Sequence, residues 1–346
     1  MRGFGFTRHG GLDHLEYVDI PEPAPGPGEV RVRIRAAAFN HLDQFTLGGI
    51  PGVTIALPHV LGSDGAGTVD RVGEDVHDLS PGTKVLLNPG MWDGTCPACR
   101  AGQEALCRNY RILGEHTQGT ATTFAVVPRR NVHPLPERMS FVEGAAVPLV
   151  FLTAWRALAT VGGVRPGDRV AIVGAGGGVA TAAIQVAKLL GAQVAVASRS
   201  AAKESKARAL GADGFLLFSE SKPLDRGLWE WSEKNGVDVI LDSVGAPTLA
   251  RSVRALARAG RVVVIGASAG PTVELDVRTL FWRQASVRGS TMSSAGEFAA
   301  VYEHLAAGRL RAVVDSTHPF DDAVAAFRRF DAPELFGKIV VVDPPG

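Results

Sequence analysis

The chain has three cysteines, and all of them lie between Cys96 and Cys107. The segment reads Asp93-Gly94-Thr95-Cys96-Pro97-Ala98-Cys99, with Cys107 eight residues further on. Two thiolates at C-x2-C, with a third able to turn back on them, have the spacing of a metal lobe. An odd, clustered set argues against a disulfide framework. Tetrahedral zinc takes four ligands, and Asp93 stands three residues before Cys96. Asp93, Cys96, Cys99 and Cys107 are therefore expected to form a closed structural zinc site, in a lobe at 90–110. Two alternatives stay open: water is the fourth ligand, or the lobe folds without metal.

A second signature is a glycine turn. The apolar run Arg169 to Val173 leads into Gly174-Ala175-Gly176-Gly177-Gly178-Val179-Ala180. Glycines let the backbone approach a pyrophosphate, whose charge then sits at the positive end of the following helix. The next strand ends at Ala197-Ser198-Arg199-Ser200, with Lys203 close behind. A site for NAD(H) places an acid there to hold the ribose 2′-hydroxyl, whereas arginine and lysine suit a 2′-phosphate. Gly177, Gly178, Val179, Ser198, Arg199 and Lys203 are thus expected to bind NADP(H). The alternative is that Arg199 is only a solvated surface charge.

The elements that must position these groups come in two styles. About 150 residues per domain gives two domains for 346 residues, or two with a small insertion. The first third is β-rich. Val30 to Ala36 alternates as a strand with one wet face, after an extended lead from Pro21 to Gly28. Gly65–Gly73, Gly82–Leu87 and Thr123–Val127 read as further strands. From about residue 150, buried strands alternate with glycine-closed helices: strand 169–173, helix 180–190, strand 194–197, helix 201–210, strand 238–242 and strand 261–266. That is the pattern of a parallel doubly wound sheet. It fades near residue 285, and the chain ends in the strand Lys338 to Val342. The fold class is α/β, with a doubly wound domain inserted into a β-rich one. The expected boundaries are 1–149 with 287–346, and 150–286.

Composition excludes several classes. Apolar residues are 46% and charged residues 21%, so the chain is not wholly disordered. A net charge of +1 offers no field for nucleic acid or an anionic membrane. The apolar stretch Val170 to Ala187 is about long enough to span a bilayer. Its glycines and changing period read instead as strand, turn and helix. The first residues lack a signal peptide's apolar core, so a cytoplasmic location is expected.

Several motifs together resemble the zinc-containing medium-chain dehydrogenase/reductase superfamily over essentially the whole chain. They are Pro25-Gly26-Pro27-Gly28-Glu29-Val30, Gly62-Ser63-Asp64-Gly65-Ala66-Gly67, the lobe at 93–107, Ala182 to Lys188, Leu210-Gly211-Ala212-Asp213 and Leu241-Asp242-Ser243-Val244-Gly245. The resemblance implies a GroES-like catalytic domain joined to a Rossmann domain. It adds Thr153, Ser243, Gly266 and Ala267 to the expected cofactor residues. It also implies a small-molecule substrate, and pairing of subunits through Val273 to Gly289 as a homodimer or homotetramer.

The alcohol dehydrogenase branch of that family carries a second, catalytic zinc. Its ligands are a cysteine, a histidine followed by glutamate, and another cysteine. The corresponding positions here hold Asn40, Ser63-Asp64 and Leu149. In the structural lobe Asp93 replaces the first of four cysteines. The catalytic zinc of those enzymes stabilises an alkoxide as a Lewis acid. Without it, an activated double bond is the better partner for hydride, because hydrogen bonds can hold the developing enolate. The chain is in this respect more similar to the quinone oxidoreductase branch, through Asn40-His41-Leu42-Asp43, Ala145-Ala146-Val147-Pro148 and Thr153-Ala154. Phe45 departs from it, standing where that branch often has tyrosine.

The resemblance places His41, His59 and His116 near the family's cleft, with Asp43, Asp64 and Glu115. They either bind a relocated metal or are hydrogen-bonded within the fold, and no H-x3-H spacing favours the metal. Asn40 or His41 is expected to hydrogen-bond a substrate carbonyl oxygen, with Asp43 orienting a neighbour. Trp92, Phe281, Trp282 and Met292 stay unassigned, since such side chains are more often core. The expected activity is NADPH-dependent hydride transfer to an activated C=C or a quinone or enone. The alternatives are an alcohol or aldehyde dehydrogenase with an atypical site, and a non-catalytic NADP(H)-binding sensor.

Overall fold

A computed structural model describes residues 1–344. Its residues cluster into two compact units, Met1–Leu149 with Ser294–Gly346, and Val150–Ser293. Among the described residues no helix is long and apolar enough to cross a membrane.

The first unit is built on the strand Glu29–Phe39. It lies in a seven-stranded sheet, flanked by Asp64–Val72 and Lys338–Val342 and also pairing Phe124–Pro128. Alternating Val30, Val32 and Ile34 are almost fully buried, which is what holds the strand at the centre. A second layer, the three-stranded sheet of Arg2–Phe6, Glu16–Asp19 and His59–Val60, supplies Phe4 and Phe6 to the core. Phe4 packs 5.6 Å from Phe39, and Phe39 packs 5.2 Å from Phe327. Each buried phenylalanine is worth about 2–3 kcal/mol of apolar transfer.

The expected wet face of the central strand is only partly wet. Arg31 is 4% exposed, because its guanidinium lies over the Phe124 ring and bonds Asp70 at 2.6 Å and Glu22 at 2.6 Å. Strand pairing with Phe124–Pro128 covers that position, whereas Arg35 stays exposed.

Register along this sheet decides which residues meet. Ala38 pairs Asp64 on one side and Val340 on the other, and Phe39 pairs Ile339. The antiparallel ladders therefore bring the end of the central strand, the start of Asp64–Val72 and the start of Lys338–Val342 to one place.

The second unit holds six parallel strands in the order Gly214–Leu217, Gln193–Ser198, Arg169–Val173, Val237–Asp242, Leu256–Val264 and Ser286–Gly289. Numbered along the unit this order is 3-2-1-4-5-6, the arrangement of a dinucleotide-binding sheet. Some bounds differ from the sequence reading. The first helix is Gly178–Leu189, so Gly178 and Val179 lie in its first turn. The expected helix at 201–210 is a 3-10 turn, Ala201–Lys203, followed by Glu204–Ala209. The expected strand 261–266 is Leu256–Val264, which leaves Gly266 in the loop beyond it. The return to the first unit falls at Ser294 and not at 287, because Ser286–Gly289 completes the sheet as its sixth strand.

One backbone approach fixes the turn that enters Asp64–Val72. Gly114 has φ +78°, and a Cβ on it would lie 2.4 Å from the Gly62 carbonyl oxygen and 3.0 Å from the Ser63 nitrogen. Gly114→Ala must strain the backbone and push this turn away. Chemical unfolding is expected to show a loss of about 2–3 kcal/mol.

Candidate functional site

The metal lobe is held together by its own backbone. Cys96 caps the short helix Pro97–Arg100, its Sγ accepting from the Cys99 N–H at 3.5 Å. The 3-10 turn Glu104–Leu106 then returns the chain to Cys107. Asp93 Oδ1 accepts the N–H groups of Thr95 and Cys96 at 2.8 and 2.9 Å. Its Oδ2 faces the Cys107 sulfur at 3.3 Å and accepts from Asn109 at 3.0 Å. These bonds, the Cys96 N–H first, hold the Asp93 carboxyl well below the usual range, so it stays ionised.

The ligand atoms of Asp93, Cys96, Cys99 and Cys107 all lie within 4.8 Å of one another, and the Cys96 and Cys99 sulfurs are 3.5 Å apart. Tetrahedral zinc with bonds of about 2.0–2.3 Å needs edges of roughly 3.3–3.8 Å. The donor set therefore fits zinc. Among the described residues this is the one group of three or more His, Cys, Asp and Glu drawn together in this way.

The second constellation is the buried corner that the sheet register creates. Asp64 is fully buried and accepts from three donors: Leu149 N–H at 2.8 Å, Asn40 Nδ2 at 3.0 Å and the Lys338 ammonium at 2.8 Å. Lys338 also donates to Asn40 Oδ1. Lys338 and Asn40 are 3% and 6% exposed. The Asn40 carboxamide is thus held inside the fold by Lys338 and Asp64. Lys338 is a site residue that the sequence reading missed, as it entered only as the start of the last strand. Its one signal was a charge heading the apolar run Ile339 to Val342.

Asp43 is buried and bonds two backbone amides, Asn40 N–H and Gly62 N–H, each at 2.7 Å. It clamps the start of helix His41–Gly48 to the Gly62 turn. Burial pushes its carboxyl up to about 6, against the pull of those two bonds.

His41 leaves the same corner and is exposed, its ring 4.9 Å from Phe330. Desolvation on its inner face, and then the Lys338 charge, lower its pKa. His59 is buried, with Nε2 bonded to the Gly114 carbonyl at 3.0 Å. His116 Nδ1 accepts the Ile112 N–H at 3.1 Å. Among the described residues, His41, His59 and His116 form no metal cluster with Asp43, Asp64 and Glu115.

The family's catalytic zinc does not fit this corner. A carboxamide, a hydroxyl and an alkyl chain stand at Asn40, Ser63 and Leu149, and the Asp64 carboxylate is already paired with an ammonium.

In the second unit Gly177–Val179, Ser198 with Arg199, Ser243, and Gly266 with Ala267 lie at or just beyond the carboxyl ends of neighbouring strands. Gly174 has φ +98°, which lets the chain turn directly after Arg169–Val173. Gly177 is the N-cap of Gly178–Leu189 and supplies no side chain to its first amides. That leaves them available to a phosphate, so a dinucleotide fits. Asp242 rigidifies the adjacent loop, accepting from Val244 N–H, Gly245 N–H, Thr248 and Ser252 at 2.9–3.1 Å. Beside it, a Cβ on Gly266 would sit 3.3 Å from the Ser243 carbonyl, and one on Gly245 3.0 Å from Ala267 Cα.

Ser198 Oγ accepts the Ser200 N–H at 3.1 Å and so shapes the turn. Arg199 is exposed and has no ion-pair partner among the described residues, while Lys203 closes the 3-10 turn. Thr153 is buried on the helix Pro148–Trp155. Of the unassigned residues, Met292 is core, whereas Phe281 and Trp282 are 61% and 71% exposed on the helix Val277–Arg283.

A GroES-like unit, a 3-2-1-4-5-6 parallel sheet and a cysteine lobe together define a zinc-type dehydrogenase. Residues 26–137 match the alcohol dehydrogenase GroES-like domain, and residues 178–307 the zinc-binding dehydrogenase domain. The chain belongs to the medium-chain dehydrogenase/reductase superfamily and is an NAD(P)-dependent oxidoreductase of its zinc-containing alcohol dehydrogenase and quinone reductase type.

It is 32% identical over 314 residues to a zinc-type alcohol dehydrogenase-like protein of Schizosaccharomyces pombe, covering 88% of each chain. It is 30% identical over 288 residues to an acryloyl-coenzyme A reductase of Metallosphaera sedula, covering 82% of this chain and 83% of that one. A solved structure of an NAD-dependent alcohol dehydrogenase superposes with a TM-score of 0.94 at 41% identity, over 99% of this chain and 100% of the other.

Glu115 carries a pH dependence. It is 7% exposed and its Oε2 has no hydrogen-bond partner. Burial, and then the Asp43 charge, push its carboxyl up to about 7. The unfolded chain ionises near the ordinary value of about 4.3. Between these values the native state keeps a proton that the unfolded state has lost, so stability falls as pH rises through that window. Glu115→Gln removes the titration. Urea unfolding is expected to show the variant more stable than the wild type near pH 8, by on the order of 2 kcal/mol, and equal to it near pH 4.

Proposed function

We propose that the chain is an NADPH-dependent reductase of activated C=C bonds in quinones, enones or enoyl thioesters, with one structural zinc. The observation that carries this reading is the Asn40–Asp64–Lys338 corner. Of the positions that hold a Lewis-acid metal in the alcohol dehydrogenase branch, Asn40 and Asp64 here bond each other and are both held by Lys338. A neutral alcohol finds no Lewis-acid ligand set at this corner to stabilise its alkoxide, while hydrogen bonds suffice for an enolate oxygen.

NADPH, when bound, supplies a hydride. The β-carbon of the conjugated C=C gains that electron pair, the π electrons shift to leave an enolate oxygen, and a proton from solvent water then adds to the α-carbon. Asn40 and His41 are the groups that donate to the oxygen. His41 is exposed, and its lowered pKa keeps it neutral near pH 7, with one N–H to give. Asp43 positions both by clamping the first turn of their helix. The amides of Gly178 and Val179 take the pyrophosphate, and Arg199, with Lys203 behind it, takes the 2′-phosphate. Thr153, Ser243, Gly266 and Ala267 line the rest of the coenzyme. Asp93, Cys96, Cys99 and Cys107 hold zinc as a cross-link of their lobe. The acryloyl-coenzyme A reductase among the relatives supports a conjugated thioester as one substrate class.

A homodimer or homotetramer forms, in this reading, through the open edge of Ser286–Gly289. The exposed Val277, Phe281 and Trp282 lie on the helix just before it. The second functional reading, an alcohol or aldehyde dehydrogenase, is favoured by the 41% identity to an NAD-dependent alcohol dehydrogenase.

Steady-state assays separate the two. Cofactor oxidation with quinones, enones or enoyl thioesters, and little reduction of NADP⁺ or NAD⁺ with alcohols, is the expected result. Equal or better use of NADH than of NADPH defeats the cofactor assignment. Arg199→Ala is expected to raise KM for NADPH about tenfold or more and to leave that for NADH unchanged. Elemental analysis is expected to find one zinc per chain, lost in Cys99→Ser. A zinc retained in that variant places the metal elsewhere.

A further inference from the structure

The corner holds a buried cation of its own. Lys338 lies 274 residues from Asp64 and 298 from Asn40 along the chain, and its ammonium bonds both. A carboxamide between a cation and an anion has one acceptable orientation. Its oxygen must face the ammonium and its NH2 must face the carboxylate, since the flipped amide would set donor against donor and acceptor against acceptor.

Asp64 takes one Nδ2 hydrogen. The other has no partner among the described residues. The ammonium on Oδ1 draws electron density through the amide and makes that remaining N–H a stronger donor. Asp64, saturated by Leu149, Asn40 and Lys338, anchors the arrangement.

We propose that Lys338 is a positioning residue that stands in for the missing Lewis acid: it fixes and polarises the Asn40 carboxamide, whose free Nδ2–H donates to the carbonyl oxygen of the substrate. This deepens the reading above and rests on it for the choice of substrate. Asn40 is the group that touches substrate, and Lys338 acts through it.

The test uses the full-length enzyme. Lys338→Met alone strands the Asp64 charge, so it is paired with Lys338→Met/Asp64→Asn, which removes both charges at similar volume, and with Lys338→Arg. The double variant is expected to melt near the wild type and to bind NADPH equally by fluorescence. Its kcat with cyclohexenone is expected to fall about ten- to a hundredfold with little change in KM. Lys338→Arg, which keeps the charge, is expected to recover much of the loss. Difference infrared spectra of bound cyclohexenone give a readout apart from turnover. The carbonyl stretch is expected to lie lower in the wild type than in the double variant or in Asn40→Ala.

A folded double variant with wild-type kcat and an unshifted carbonyl band overturns the proposal and leaves Lys338 a structural residue. Failure of the functional reading looks different: the wild type then reduces no activated C=C. The Lys338 assignment is in that case judged on the same variants by the kcat of aldehyde reduction and by the carbonyl band of a bound aldehyde, where a wild-type value for both overturns it.

Discussion

A carboxylate with no exposure to water needs its charge answered from within the protein, and Asp64 is such a group. Leaving a buried charge unpaired costs several kcal/mol. The answer here uses three separate parts of the chain: a backbone amide at Leu149, a carboxamide at Asn40 and an ammonium at Lys338. The pairing of Glu29–Phe39 with Asp64–Val72 and Lys338–Val342 brings Asn40 and Lys338 to Asp64, and the helix Pro148–Trp155 brings the Leu149 amide. A slip of one residue in either ladder would turn these side chains to the other face and strand the charge. The first unit therefore has its register tied to its site, and the same contacts that satisfy Asp64 leave Asn40 with one free donor.

Around that corner the polar groups divide by what burial does to them. Asp43 keeps two backbone partners and a structural task, although burial raises its carboxyl. Glu115 has an oxygen without a hydrogen bond and is raised further, with Asp43 adding to its cost. His59 and His116 are engaged with backbone, while His41 faces solvent. Proximity in the fold is thus not equivalent to shared chemistry. The histidines that sequence position grouped together have separate roles: His59 and His116 each bond a backbone group, and His41 is exposed.

The second unit meets a different constraint, a tight turn from a buried strand into a helix whose first amides stay uncapped. Gly174 makes the turn after Arg169–Val173, and Gly177 starts the next helix without a side chain over its amides. Asp242 holds the neighbouring loop with four hydrogen bonds. In the metal lobe, Asp93 is doubly employed. One oxygen organises the Thr95–Cys96 backbone, and the other is turned toward Cys107. A cysteine in its place has a single sulfur and could not do both.

What was legible in the sequence was local. The C-x2-C spacing with Asp93 and Cys107, the glycine turn, the strand–helix alternation and the basic Arg199 all depend on residues close together along the chain, where spacing alone constrains geometry. The ends of elements were less legible, since packing decides whether a strand stops at Val264 or a sixth strand forms at Ser286–Gly289. Only the tertiary structure decided that Arg31 is buried, that Glu115 titrates high, and that Lys338 meets Asn40 and Asp64. Those outcomes depend on the pairing and packing of segments from about ten to nearly three hundred residues apart, and on the loss of water around them. Neither is written in the spacing of neighbouring residues.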